Sequence, residues 1–92
     1  MSPRFAAKVD ANHGAIVNAL RGIGAQVESL APLGRGCPDL LVSYAGRWFV
    51  LEVKQPTGRL RPQQVVWINR HVADVRVVRS AADAVAYVQG GE

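Results

Sequence analysis

The chain reads as an α/β domain with a mixed central sheet and helices on its faces. Three observations predict this. Ile16, Leu20 and Ile23 recur at helical spacing, and Pro62 and Ser80 stand where helices start. Runs at Asp39 to Tyr44, Arg47 to Lys54 and Val75 to Val78 alternate or are rich in β-branched residues. Gly and Pro clusters punctuate the chain between these runs. The expected order is α-β-β-β-α-β-α.

Each element has its own signal. Met1 to Lys8 reads as a loose leader, and Asp10 or Asn12 can cap a helix running to about Arg21, with Gly24 ending it. Gln26 to Leu30 alternates weakly, as a short strand would. Pro32, Gly34 and Gly36 mark a loop. Asp39 to Tyr44 and Arg47 to Lys54 read as strands joined by an Ala45-Gly46 turn, hence a hairpin. Pro56 and Gly58 break the chain again. Pro62 can occupy the first turn of a helix reaching about Val72. Val75 to Val78 is a short strand. Ser80 with Asp83 three residues on resembles a capping box, and its helix ends at Gly90-Gly91.

Composition bounds what this domain does. Ninety-two residues fit one domain, 1–92, and 49% apolar residues can fill a core. One cysteine excludes an internal disulfide framework and a cysteine-based zinc site. With no apolar run long enough to span a membrane and no signal peptide, the expectation is a soluble, cytoplasmic protein.

The charge is uneven. Eleven Lys and Arg against seven Asp and Glu give +4, and nine of the eleven cations are Arg. Between Lys54 and Arg79 six basic residues face only Asp74. Arg contacts phosphate through two parallel hydrogen bonds, so one reading is a polyanionic partner such as nucleic acid. The other is an ordinary solvated basic surface.

The chemistry lies in Trp48-Phe49-Val50-Leu51-Glu52-Val53-Lys54. In a strand Phe49, Leu51 and Val53 share one face, and Trp48, Val50, Glu52 and Lys54 share the other. Two opposite charges then sit on one face of an otherwise apolar strand. A carboxylate there needs a partner, a metal or water. Asp39 opens the preceding strand, and the hairpin carries it to the same end of the sheet as Glu52 and Lys54. Two carboxylates and an ammonium suit a hydrolytic site: hard oxygen ligands for Mg²⁺ or Mn²⁺, and a Lys to orient water or neutralise developing charge. Alternatively, Asp39 is a turn residue after Pro38, and Glu52 and Lys54 form a structural ion pair.

Gly36-Cys37-Pro38-Asp39-Leu40-Leu41-Val42 followed by Leu51-Glu52-Val53-Lys54 resembles the PD-(D/E)XK nuclease signature. The flanking pattern is similar to the VRR-NUC branch, above all its small stand-alone phage and prophage forms. Asp10-Ala11-Asn12 leading into Ile16-Val17, Gly24 and Val27 matches that family's first helix and strand. Arg59-Leu60-Arg61-Pro62-Gln63-Gln64 resembles its linker into a helix, and Val77-Val78-Arg79-Ser80 with Asp83-Ala84 its tail.

The resemblance implies a restriction-endonuclease-like αβββαβα core and a Mg²⁺- or Mn²⁺-dependent endodeoxyribonuclease. Asp39, Glu52 and the Val53 carbonyl would hold metal, Lys54 would be the catalytic lysine, and Gln64 would support the site. Relatives cut branched DNA such as Holliday junctions. A two-fold homodimer would match a two-fold junction. No membrane and no small-molecule cofactor are expected. The family's first-helix Glu is replaced here by His13, Gly14 and Ala15, with Asp10 about one turn earlier. Asp10 or His13 is then the remaining metal-ligand candidate. The alternative function is a weak or inactive DNA-binding module of the same fold.

Arg59 and Arg61, flanking the site, and Arg35, in a Gly-flanked loop, are candidate phosphate contacts or solvated loop residues. Trp67 is expected in the core beside Ile68. Trp48 is expected in the core or along a strand edge, with base stacking or a subunit contact as alternatives. Cys37 reads as a small apolar filler and His71 as a helix C-terminal residue.

Overall fold

A computed structural model describes residues 11–90. Helix α1 (His13–Gly22) leads to β1 (Gln26–Ser29) and a short 3₁₀ turn (Ala31–Leu33). The hairpin β2 (Leu40–Tyr44) and β3 (Arg47–Val53) follows, then α2 (Pro62–Arg70), β4 (Arg76–Val78) and α3 (Ala81–Val88). The class and the order of helices and strands are those expected, and the boundaries agree within about two residues. The residues before 11, including Asp10, lie outside the described part of the chain.

The four strands lie in the order β1-β2-β3-β4. β1 with β2 and β2 with β3 are antiparallel, and β3 with β4 is parallel, so the sheet is mixed. Leu40 pairs with Leu51 and Val42 with Phe49, which puts their side chains on one face. There they join Ile16 and Leu20 of α1, Val78, and Ala84 and Val88 of α3 in one buried cluster. Tyr87 of α3 meets Phe49 edge-on, with ring centroids 5.5 Å apart. Each buried aliphatic side chain here contributes about 1.5–3 kcal/mol by leaving water.

Two backbone features hold the hairpin and its approach. Ala45 and Gly46 have φ of 52° and 80°, the left-handed pair that two-residue hairpin turns favour. Gly36 has φ of 83°, and a Cβ there would lie 2.3 Å from the Gln63 carbonyl oxygen. Only glycine allows the loop before β2 to lie this close to the start of α2.

The other face of the sheet is built differently. The single buried residue of α2 is Gln64, while Val65 and Val66 of the same helix are exposed. Trp67 is half-buried and stacks on His71 rather than entering the core, because the apolar cluster is built by α1 and α3 and α2 meets the other face through Gln64. Trp48 is 70% exposed. Strand alternation points it away from the α1 and α3 side, and nothing in the described chain covers it.

The capping expectations are met in altered form. Asn12 occupies the N-cap position of α1 but makes no side-chain cap bond. Ser80 Oγ accepts the Asp83 N–H at 3.0 Å, and the Asp83 carboxylate reaches back to the Arg79 N–H, one residue earlier than a capping box requires.

Candidate functional site

The site forms where β2 begins and β3 ends. The Asp39 N–H donates to the Leu51 carbonyl at 3.1 Å, so Asp39 continues the ladder just beyond β2. Its Oδ2 in turn accepts the Val53 N–H at 2.8 Å. That bond fixes the carboxylate against the end of β3. Among the described residues its Oδ1 accepts no hydrogen bond. The carbonyl of a strand residue points to the same edge as its N–H, so the Val53 carbonyl also faces the Asp39 side. The Lys54 N–H points the opposite way, to the Val78 carbonyl at 3.0 Å.

Glu52 is 1% exposed. Its Oε2 accepts Gln64 Nε2 at 2.7 Å and lies 3.7 Å from Lys54 Nζ. Gln64 Oε1 accepts the Arg61 N–H at 2.8 Å. Gln64 therefore does two jobs with one side chain. It satisfies an N-terminal amide of α2 and donates to the buried carboxylate, and the first bond settles which end of the amide faces Glu52. A hydrogen bond to a buried charge contributes about 1.5–3 kcal/mol.

Asp39, Glu52, Val53, Lys54, Arg59, Arg61 and Gln64 line one open cavity of about 280 Å³. Carboxylates and an ammonium thus stand at its floor, and two exposed arginines stand at its rim. Arg35 and His13 are not in it. They line a neighbouring cavity of about 580 Å³, which reaches Asp39, Arg61 and Gln64 from the other side. Cys37, on that second wall, has its thiol pKa pushed up, first by burial and then by the negative charges of Glu52 and Asp39.

The donor set is two carboxylates and a main-chain carbonyl. Among the described residues no group of three His, Cys, Asp or Glu side chains converges. Two carboxylates plus a carbonyl still fit a hard divalent ion that keeps several waters, as Mg²⁺ does, and Asp39 Oδ1 is not engaged by another described residue. Strand alternation puts Glu52 and Lys54 on one face, and the hairpin expected from the sequence carries Asp39 to them. Neither signal points to Gly36, whose missing Cβ lets the loop meet α2, or to Asn12, whose amide binds two distant carbonyls. Glycine in a loop and Asn before a helix have many ordinary explanations.

Compared with family models, with curated proteins and with solved structures, the chain finds no match in any of the three. The class of protein that the fold defines is an α/β domain, with a four-stranded mixed sheet and three helices among the described residues. No helix among the described residues is long and apolar enough to cross a membrane.

Proposed function

We propose that this chain is a metal-dependent DNA endonuclease with a PD-(D/E)XK core of the VRR-NUC type. The observation that carries the reading is the side-by-side placement of Asp39, Glu52 and Lys54 on one cavity rimmed by Arg59 and Arg61. A structural ion pair alone gives no reason for a second carboxylate held open to the same cavity, or for cations around it.

In this reading Asp39, Glu52 and the Val53 carbonyl would hold a Mg²⁺ or Mn²⁺ ion. Such an ion polarises a phosphodiester oxygen and lowers the pKa of a bound water. Lys54, 3.7 Å from the Glu52 carboxylate, orients the attacking water or neutralises charge developing on phosphorus. Gln64 keeps Glu52 in place. Arg59 and Arg61 hold flanking phosphates, with Arg35 farther along the strand's path. His13, in the adjoining cavity beside Asp39, is the described first-helix residue best placed to assist. A second reading, a DNA-binding module with little activity, is favoured by His13, Gly14 and Ala15 offering no carboxylate.

Branched DNA is the proposed substrate and a homodimer the proposed acting form. A domain of this size has little surface for a long duplex, and two related sites match a two-fold junction. The test is cleavage of labelled forks, flaps, junctions and duplexes with Mg²⁺, Mn²⁺ or chelator. Cleavage that needs metal and vanishes in Asp39→Asn is the expected result. Equal Mn²⁺ affinity in wild type and Asp39→Asn by calorimetry would overturn the site assignment. Metal-independent binding without cleavage would favour the second reading.

A further inference from the structure

A hydrogen-bonded latch outside the proposed chemistry holds the chain as it leaves β3. Asn12 Nδ2 donates to the Lys54 carbonyl at 3.0 Å and to the Arg79 carbonyl at 2.8 Å. Arg79 Nη1 donates to the Gln55 carbonyl at 2.8 Å and the Gly58 carbonyl at 2.7 Å, with the Pro56 carbonyl at 3.4 Å. The Arg79 N–H donates to Asp83 Oδ2 at 3.0 Å. The turn from Gln55 is closed by the Gly58 N–H on the Gln55 carbonyl at 3.0 Å. Three carbonyls of one turn thus converge on one guanidinium nitrogen.

The position of this turn gives the latch its meaning. Lys54 immediately precedes it and Arg59 immediately follows, and both line the cavity with Asp39 and Glu52. One end carries the ammonium beside Glu52, and the other carries a rim cation. The turn contains Pro56 and Gly58, forms no helix or strand, and buries no apolar side chain. Its order rests on directional hydrogen bonds. A guanidinium suits this task because its N–H groups lie in a rigid plane, whereas an ammonium is a compact, strongly hydrated charge on a flexible stem.

We propose that Arg79 is a positioning residue, whose guanidinium orders the Gln55–Gly58 turn and so presents Arg59 to the cavity, and that it is not itself a phosphate contact. What Arg59 meets there rests on the nuclease reading. The ordering of the turn does not.

Limited trypsin digestion followed by mass spectrometry tests the ordering without any activity. Trypsin cuts after Arg59, and the bond after Arg61 resists because Pro62 follows. Arg79→Lys retains both charge and trypsin site at position 79. The expected result is cleavage after Arg59 about tenfold faster in Arg79→Lys and Arg79→Met, with amide exchange at Gly58 faster by a similar factor. The melting temperature of Arg79→Lys should stay close to wild type. If Arg79→Met does not fold, Arg79→Lys and its Gly58 exchange decide the matter. Cleavage and exchange within about twofold of wild type in Arg79→Lys would overturn the proposal.

Binding of labelled forked DNA supplies the second arm. Arg79→Lys should weaken binding about fivefold in the wild-type background and have no further effect on Arg59→Ala. Additive losses would make Arg79 a direct phosphate contact and overturn that half of the proposal. Faster cleavage after Arg59 in a protein whose wild type binds no DNA would remove the nuclease reading and leave the ordering role established.

Discussion

The two faces of the sheet are built by different physics, although alternate residues of the same strand supply both. On one face Phe49, Leu51 and Val53 meet Ile16, Leu20, Ala84 and Val88 in a dry cluster. On the other, Trp48 lies in solvent and Glu52 is buried against Gln64 and Lys54. The first face is held by area removed from water, which is non-directional and shared among many side chains. The second is held by a few directed contacts, each worth about 0.5–3 kcal/mol net but each fixing an atom in place. The difference explains why the candidate chemistry lies where it does. A carboxylate and an ammonium cannot be buried in the dry cluster without strong penalty, whereas beside Gln64 and an open cavity they are satisfied and reachable.

Neighbouring residues on opposite faces give the sharpest way to break this comparison. Glu52→Gln keeps shape and removes charge, so on the proposed nuclease reading DNA cleavage should fall by about 1000-fold or more while the melting temperature moves little. Leu51→Ala should do the reverse. It leaves a cavity in the core, costs about 2–5 kcal/mol, and lowers the melting temperature by roughly 4–8 °C for each of them. Thermal melts beside cleavage assays check both. If Glu52→Gln unfolds the protein as Leu51→Ala does, the two faces are not separable.

A smaller effect is expected at Gln64. Gln64→Ala removes the donor to Glu52 and the acceptor for the Arg61 N–H, a loss of about 1–3 kcal/mol. Amide exchange should rise across α2 while α1 and α3 keep their protection. Equal deprotection of all three helices would show that α2 shares the apolar core's cooperativity.

The smallest effect concerns Cys37. Burial, then the charges of Glu52 and Asp39, raise its pKa, so at a given pH less thiolate is present than on a free cysteine. Iodoacetamide should therefore react slowly, faster as pH rises, and faster again in Asp39→Asn once unfolding is excluded. No change in Asp39→Asn would place the Asp39 charge too far away to matter.

The elements were legible because their signals are local. Alternation in Arg47 to Lys54 marks β3 and assigns Glu52 and Lys54 to one face, and the Ala45-Gly46 turn folds β2 back on it. Ser80 and Asp83 mark the start of α3. The expectation failed for Trp67, read as core, and for Trp48, read as core or edge. Large aromatic residues are usually buried, but only the packing around them says whether a partner exists. Pro32, Gly34 and Gly36 predict only a loop where the chain forms the 3₁₀ turn Ala31–Leu33, since Pro and Gly mark a break without naming its shape.

By itself, then, the sequence determined the order of elements, the face each strand residue occupies and the end of the sheet where Asp39, Glu52 and Lys54 meet. Those follow from periodicities within a few residues. Tertiary structure alone decided that Gly36 lies against Gln63, that Gln64 covers Glu52, and that Asn12 and Arg79 bind the carbonyls of Lys54, Gln55 and Gly58. Those contacts join residues from 12 to 42 positions apart or tie side chains to main-chain atoms. No local pattern records them, because a main-chain carbonyl is the same in every residue and only the folded chain selects which one an amide or a guanidinium reaches.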